Sequence, residues 1–270
     1  MKEFTIIQNN NISYGVFPAL TEAGFVHGCS CRKNGESDVV AGTLNLALHV
    51  GDAVEKVLLN RKAFAEALGV NAERFTTCQQ VHGSKVVRVT EELIGSGAQD
   101  FATTIADTDA LITNIPEVPL LLFYADCVPV LLADVETGAV GLAHAGWRGT
   151  VANIGAKTLE AMVEAFGSKP ENILAAIGPS IGACCYEVDD FVRDQASGYE
   201  DFFAPKGGGK YQLDLWGMNA KQLQEAGVLA ENVVVAGVCT NDNVDLFCSY
   251  RAEQGRTGRM GVCLCARKPL

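Results

Sequence analysis

From Leu120 the chain reads LLLFYADCVPVLLADVETGAVGLAHA, two apolar runs that break on Asp126-Cys127 and on His144, with a polar turn between them. Short, continuous apolar runs bounded by turn residues predict strands buried on both faces. Residues 128–133 and 138–143 are expected to pair as an antiparallel hairpin through Glu136-Thr137-Gly138. Such a hairpin carries Cys127 and His144 to the same end of the sheet. Past His144, Ala145-Gly146-Trp147-Arg148-Gly149-Thr150 gives way to the helical pattern TVANIGAKTLEAMVEAFG, which Gly167 closes. A strand that ends on a glycine-bearing loop and feeds a helix N-terminus is a natural place to hold an anion.

The same patterns place the other elements. Residues 4–7 and 12–17 read as strands of a meander around Asn9-Asn10-Asn11, with 24–31 as a third strand that Arg32 ends. The helix AVEKVLLNRKAFAEALG is expected to start from Asp52 as N-cap, with Glu55 completing a box, to bury Val54, Val57, Leu58, Phe64, Ala65 and Leu68, and to stop at Gly69. Strand signals flank a turn at 81–84, and 106–113 forms a strand with Asp107 and Asp109 at its entrance. Further strands are expected at 172–177, 232–238 and 260–266, and helices at 188–196 and 215–226. Lys206-Gly207-Gly208-Gly209-Lys210 lacks the spacing of a phosphate loop and reads as a surface connection.

Composition narrows the partners. A chain of 270 residues with no linker-like tract is expected to form one unit, 1–270. A net charge of −11 with no large basic cluster argues against nucleic acid. The N-terminus lacks the apolar segment of a signal peptide, and no apolar run reaches membrane-spanning length, so a cytoplasmic protein acting on small molecules is expected. No feature points to an oligomeric state. Ten cysteines without a Cys-x-x-Cys pair read mostly as reduced thiols; Cys29/Cys31 and Cys263/Cys265, at period two, read as small core residues.

Of the four histidines, His82 and His144 lie at Gly-flanked strand ends. A catalytic zinc takes three ligands from the His, Cys and carboxylate set and leaves one position open, and His82, Cys127 and His144 would supply such a set. The competing reading is that the histidines bond the backbone and Cys127 is a core thiol. Asp126, Asp107 and Asp109 are candidates to orient the imidazoles or, alternatively, strand-entry turn residues. Arg32 and Arg148 are candidate anion binders or structural ion pairs, and Trp147 either stacks on a base or packs.

QQVHGSKV, ADTDALIT, YADCVPVLLAD, GLAHAGWRGT, AIGPSIGACCYEV and CTNDNVDLFCSYR together resemble the YfiH/laccase-domain family, described as purine nucleoside phosphorylases, polyphenol oxidases and peptidoglycan editing factors. The similarity runs from about residue 24 onward. It implies an α/β (α+β) fold, a single-domain layered α/β/β/α sandwich with mixed sheets. It also implies a metal, Zn2+ with Cu2+ as the alternative, on His82, Cys127 and His144, and substrate contacts from Arg32 and Asn45. Ala47 stands where the family has Gly, and Cys248 replaces an aromatic.

The activity so implied is phosphorolysis of adenosine, inosine and methylthioadenosine, with adenosine deamination beside it and purine nucleosides and phosphate as partners. Asp126 and Arg148 are then the catalytic candidates. The H-x-E and P-C-x-x-C signatures of zinc deaminases are absent, so deamination would need Asp126 or Glu187 to carry the proton. The alternatives are a copper polyphenol oxidase, for which four histidines are few, a cysteine hydrolase of cell-wall precursors using Cys127 or Cys185 beside His144, and a non-catalytic metabolite binder.

Overall fold

A computed structural model describes residues 3–40 and 42–268; Met1, Lys2, Ala41, Pro269 and Leu270, including both ends of the expected 1–270 unit, lie outside the described residues. Two large sheets pack face to face. The first has five antiparallel strands in the order Thr5–Asn9, Ile12–Val16, His27–Ser30, Met260–Cys265, Pro119–Tyr124. The second has six, in the order Val233–Val235, Ile173–Ile177, Val128–Asp134, Val140–Ala145, Ala110–Thr113, Val86–Arg88. Its outermost pairs are parallel and its inner pairs antiparallel, so this sheet is the mixed one.

Alternation along the strands decides the layering, because successive side chains point to opposite faces. Leu120, Leu122 and Tyr124 of one sheet join Leu131, Ala133, Val140 and Leu142 of the other in the core between the sheets. Leu121, Phe123, Cys263 and Cys265 face outward and are covered by the helix Val54–Leu68 through Phe64, Ala65 and Ala67. Val128, Val130, Leu132, Ala143 and Ala145 face the other way, under the helices Ile154–Phe166 and Leu215–Glu225. The order is helix, sheet, sheet, helix. Every residue of the two strands of the central hairpin is buried, which is why they read as apolar runs. Cys29, Cys31, Cys263 and Cys265 are buried thiols, as their spacing predicts.

Several local expectations are corrected. Ala53, not Asp52, is the N-cap of Val54–Leu68; the Asp52 carboxylate instead accepts the Asn45 side-chain amide and the Asp38 and Ala53 N–H groups. Val54 is exposed on that helix, and Arg61 is buried in its place, donating to the carbonyls of Leu46, Gly97 and Ala98. The pattern that begins at Thr150 is not one helix. A short helix, Trp147–Val151, ends before Asn153, whose φ of 58° is left-handed, and Ile154–Phe166 begins after it. The expected helix at 188–196 shrinks to Asp190–Asp194 behind a small strand, Glu187–Asp189. That strand joins Lys210–Leu213 and Phe203–Gly207 in a third, antiparallel sheet, and the glycine run is its hairpin turn. No described helix is long and apolar enough to cross a membrane.

Candidate active site

The hairpin register sets Pro129 opposite His144 and Val128 opposite Ala145, so Cys127, one residue before the first strand, arrives beside the end of the second. His82 comes from the turn that precedes Val86–Arg88, held at φ 60°. The ligand atoms of His82, Cys127 and His144 lie within 4.8 Å of one another, and the two imidazole centroids are 4.8 Å apart.

One carboxylate assembles both histidines. Asp109, 0% exposed, lies 2.9 Å from His144 Nδ1 and accepts the backbone N–H groups of Val81, His82 and Gly83 at 3.2, 2.9 and 2.7 Å. An ionised carboxylate only accepts, so His144 donates its Nδ1 proton to Asp109 and turns Nε2 toward Cys127, the nitrogen that would ligate a metal once its own proton is displaced. Gly146 is required beside them: a Cβ there would stand 3.0 Å from Cys127 Sγ and 3.2 Å from His82 Cδ2.

The site is electrostatically polarised. Burial alone would raise the Cys127 thiol, but the charge and hydrogen bonds of His144 and His82 outweigh it and bring it down to about 6. Burial alone would lower His144, yet the Cys127 thiolate and Asp109 push it up to about 9. For Asp109, burial raises and the bonds from His144 and Gly83 lower, with the lowering dominant. Two imidazoles and a thiolate, one imidazole backed by a carboxylate, form a donor set that fits zinc or copper. The remaining histidines contrast with these: His27 Nε2 accepts the Phe17 N–H at 2.8 Å, and His49 sits against Phe101 and Phe123, its imidazole pushed down to about 4 by burial and by Arg259 and Arg61.

A pocket of about 140 Å³ opens on this cluster between Asp126, Trp147, Arg148, Ile181, Tyr186 and Leu215. Arg148 is exposed; its guanidinium lies 4.3 Å from the Trp147 ring centroid and makes no hydrogen bond or ion pair with another described residue. It lies inside the short helix Trp147–Val151, not ahead of the long one as the sequence suggested. Asp126, at φ 82°, commits its carboxylate to the Thr240 hydroxyl and the Arg251 N–H, each at 2.6 Å, and so pins the turn that presents Cys127.

Other expected site residues lie elsewhere. Arg32 is 8% exposed; it donates to the Val244 carbonyl at 2.8 Å and pairs with Glu253 at 2.7 Å, outside the residues that line the pocket. Asn45 is 0% exposed, its amide spent on Ala47, Asp52 and the Arg259 N–H. Glu187 pairs with Lys206 at 2.6 Å. Cys185 groups with Cys184, Cys239 and Asp242 rather than with His144. Asp107 adopts φ 48° at the strand entrance, a turn role. Ile181, Tyr186 and Leu215 were not singled out by the sequence, where an apolar side chain beside glycine or at a helix start carries no mark of its partner.

The sequence profile of the family described as multi-copper polyphenol oxidoreductase laccase matches residues 26–267. The chain belongs to this laccase family. Among its relatives, a protein named purine nucleoside phosphorylase YlmD, from Geobacillus stearothermophilus, is 42% identical over 243 residues, covering 88% of this chain and 89% of that one. Its namesake from Bacillus subtilis is 38% identical over 239 residues, covering 87% and 86%. The crystal structure of YlmD from Geobacillus stearothermophilus superposes with a TM-score of 0.92 at 38% identity over 97% of this chain and 99% of that one. That of the hypothetical protein YfiH from Bacillus licheniformis gives 0.90 at 34%, covering 94% and 96%. The layered architecture is thus that of these two solved structures.

Proposed function

We propose that the chain is a zinc-dependent purine nucleoside phosphorylase that cleaves adenosine, inosine and methylthioadenosine with inorganic phosphate. The observation that carries this reading is one pocket lined by Arg148, with its unpaired guanidinium, and by His82 and Cys127 of the His82, Cys127, His144 donor set; relatives that bear the phosphorylase name support it. Three protein ligands with a free position suit catalytic zinc, and an ion there would supply Lewis acidity beside the reacting bond.

The chain's own groups divide the remaining work. Arg148 binds the phosphate, because its guanidinium alone among the pocket's side chains is a cation with no partner among the described residues. A volume of about 140 Å³ is well below the roughly 300 Å³ of a typical small-molecule pocket, so it takes the reacting portion only. The purine ring extends over Trp147 toward Phe191, 63% exposed and edge-on to it at 6.2 Å. Asp109 fixes the His144 tautomer and the His82 turn, and Asp126 fixes Cys127. Phosphorolysis is favoured over deamination because both proposed proton carriers are committed, Asp126 to Thr240 and Arg251 and Glu187 to Lys206.

Chromatography of the three nucleosides after incubation with and without phosphate tests this. Free base and sugar phosphate, formed only when phosphate is present, are expected. Phosphate-independent conversion of adenosine to inosine as the sole reaction would overturn the proposal.

A further inference from the structure

A second cluster of metal-binding side chains lies apart from the pocket. Cys184, Cys185, Cys239 and Asp242 each offer one ligand atom, all within 4.8 Å of one another. The backbone builds this convergence. Residues 182–186 form a tight turn in which the Cys185 and Tyr186 N–H groups both donate to the Gly182 carbonyl at 3.0 Å. This aims two consecutive thiols at Asp242, with Cys184 and Cys185 Sγ donating to its two carboxylate oxygens at 3.1 and 3.0 Å. Cys239 comes from a segment tied alongside by the Ser180 N–H to the Val238 carbonyl and the Thr240 N–H to the Ser180 carbonyl, at 3.2 and 3.0 Å.

Two further details show that the backbone is shaped around these sulfurs. The Gly182 N–H donates to Cys239 Sγ at 3.3 Å, the amide-to-sulfur bond that stabilises a ligating thiolate. A Cβ on Gly182 would stand 3.2 Å from Cys184 Sγ and 2.9 Å from the Trp216 ring, so only glycine allows this approach. Cys239 is buried and Cys185 half-buried, while Cys184 and Asp242 are exposed, which gives an ion a route in from solvent. All ten cysteines are free thiols.

We propose that Cys184, Cys185, Cys239 and Asp242 form a second, structural site for one soft divalent cation of the zinc type. Four protein ligands leave no open position, so the site binds without catalysing. In the metal-free state the Asp242 carboxylate accepts two thiol hydrogens; binding replaces them, and three thiols become three thiolates with three protons released to solvent. No redox step is involved. The bound ion joins the 180–186 turn to the segment at 239–242. That turn carries Ile181 and Tyr186, which line the pocket, and the Ile181 N–H donates to the carbonyl of Asp126 at 2.9 Å. The site therefore braces one wall of the pocket.

The test uses the full chain as a Cys127→Ser variant, which removes the only thiolate of the first centre. Metal-stripped, reduced protein is titrated with Co2+. Uptake of one equivalent with strong thiolate-to-cobalt charge-transfer absorption, displaced by Zn2+ and accompanied by release of about three protons, is expected. Adding Cys184→Ser, at an exposed position, should weaken uptake by more than the roughly 100-fold that loss of a group behind a ligand can cost. A natively folded Cys127→Ser protein with no such absorption would overturn the proposal. So would a thiol count on the unreduced, unfolded variant two short of its nine, because a disulfide within the cluster would then be its resting state.

Discussion

Around Asn45 the polar atoms are answered inside the chain, whereas around His144 a comparable density of polar groups leaves a thiolate, an imidazole nitrogen and a guanidinium facing a pocket. In the first region the Asn45 amide, the Asn60 amide and the Asp52 carboxylate bond one another and nearby backbone, and Arg32 closes on Glu253. In the second, Asp109 saturates the rear of the cluster, and at the front His82, Cys127 and His144 bond only one another among the described side chains. Both regions carry motifs that suggest substrate contact. The difference lies in remaining hydrogen-bonding capacity: a buried network that is complete holds a fold, and converging groups with capacity left over can hold a ligand.

The largest effects should come from the open region. Cys127→Ser is expected to lower zinc affinity beyond the roughly 10–100-fold loss typical when a group that orients a metal ligand is changed, and Asp109→Asn to fall within that range. Metal analysis after dialysis against a graded chelator measures both, and an Asp109→Asn protein that binds zinc like the wild type would remove Asp109 from the assembly of the site.

Asn45→Ala attacks the closed region. It orphans the Ala47 and Arg259 N–H groups, at about 1–3 kcal/mol for each buried group left unpaired. Urea unfolding should record that loss, while kcat/KM per folded molecule stays near wild type. A stable variant with a raised nucleoside KM would instead make Asn45 a substrate contact.

The two arginines give a smaller and sharper contrast. Arg148→Ala should raise the phosphate KM by about tenfold, a modest effect because an exposed charge contact is screened, and leave stability unchanged. Arg32→Ala should do the reverse, losing stability by stranding Glu253 and keeping the phosphate dependence. Exchange of these outcomes would move the anion site to Arg32.

The smallest effect concerns protonation. In metal-free protein the lowered Cys127 value means that thiolate persists on acidification until pH falls through about 6, well below the roughly 8.5 of an ordinary thiol. The rate of iodoacetamide labelling, taken as wild type minus Cys127→Ser, should be half-maximal near pH 6. A midpoint at the ordinary value would show that His144 does not polarise Cys127.

Much of the fold was readable because burial imposes a local period. The hairpin 128–145, the strand at 173–177, the helix at 215–225 and the stops at Gly69 and Gly167 all follow from runs, alternation and glycine placement within a few residues. Reading failed where the deciding interaction was not periodic. Nothing in TVANIGAKTLEAMVEAF marks the left-handed Asn153 that splits the helix, and a helical stripe gives no sign that Arg61 is buried on carbonyls from a distant loop.

The sequence by itself determined most strands of the two large sheets and the helices Val54–Leu68 and Leu215–Glu225 and, through the hairpin, that Cys127 and His144 share one end of a sheet. Only the tertiary structure decided what each polar side chain meets. Asp109 reaches His144 because their strands are neighbours in the six-stranded sheet, Arg32 reaches Glu253 across most of the chain, and Cys239 comes to rest against Cys184 and Cys185 because Ser180 is laced to its segment. The physical reason is that hydrophobic burial is written residue by residue along the chain, while a hydrogen bond or a metal ligand needs a partner whose distance depends on how the sheets are ordered and stacked.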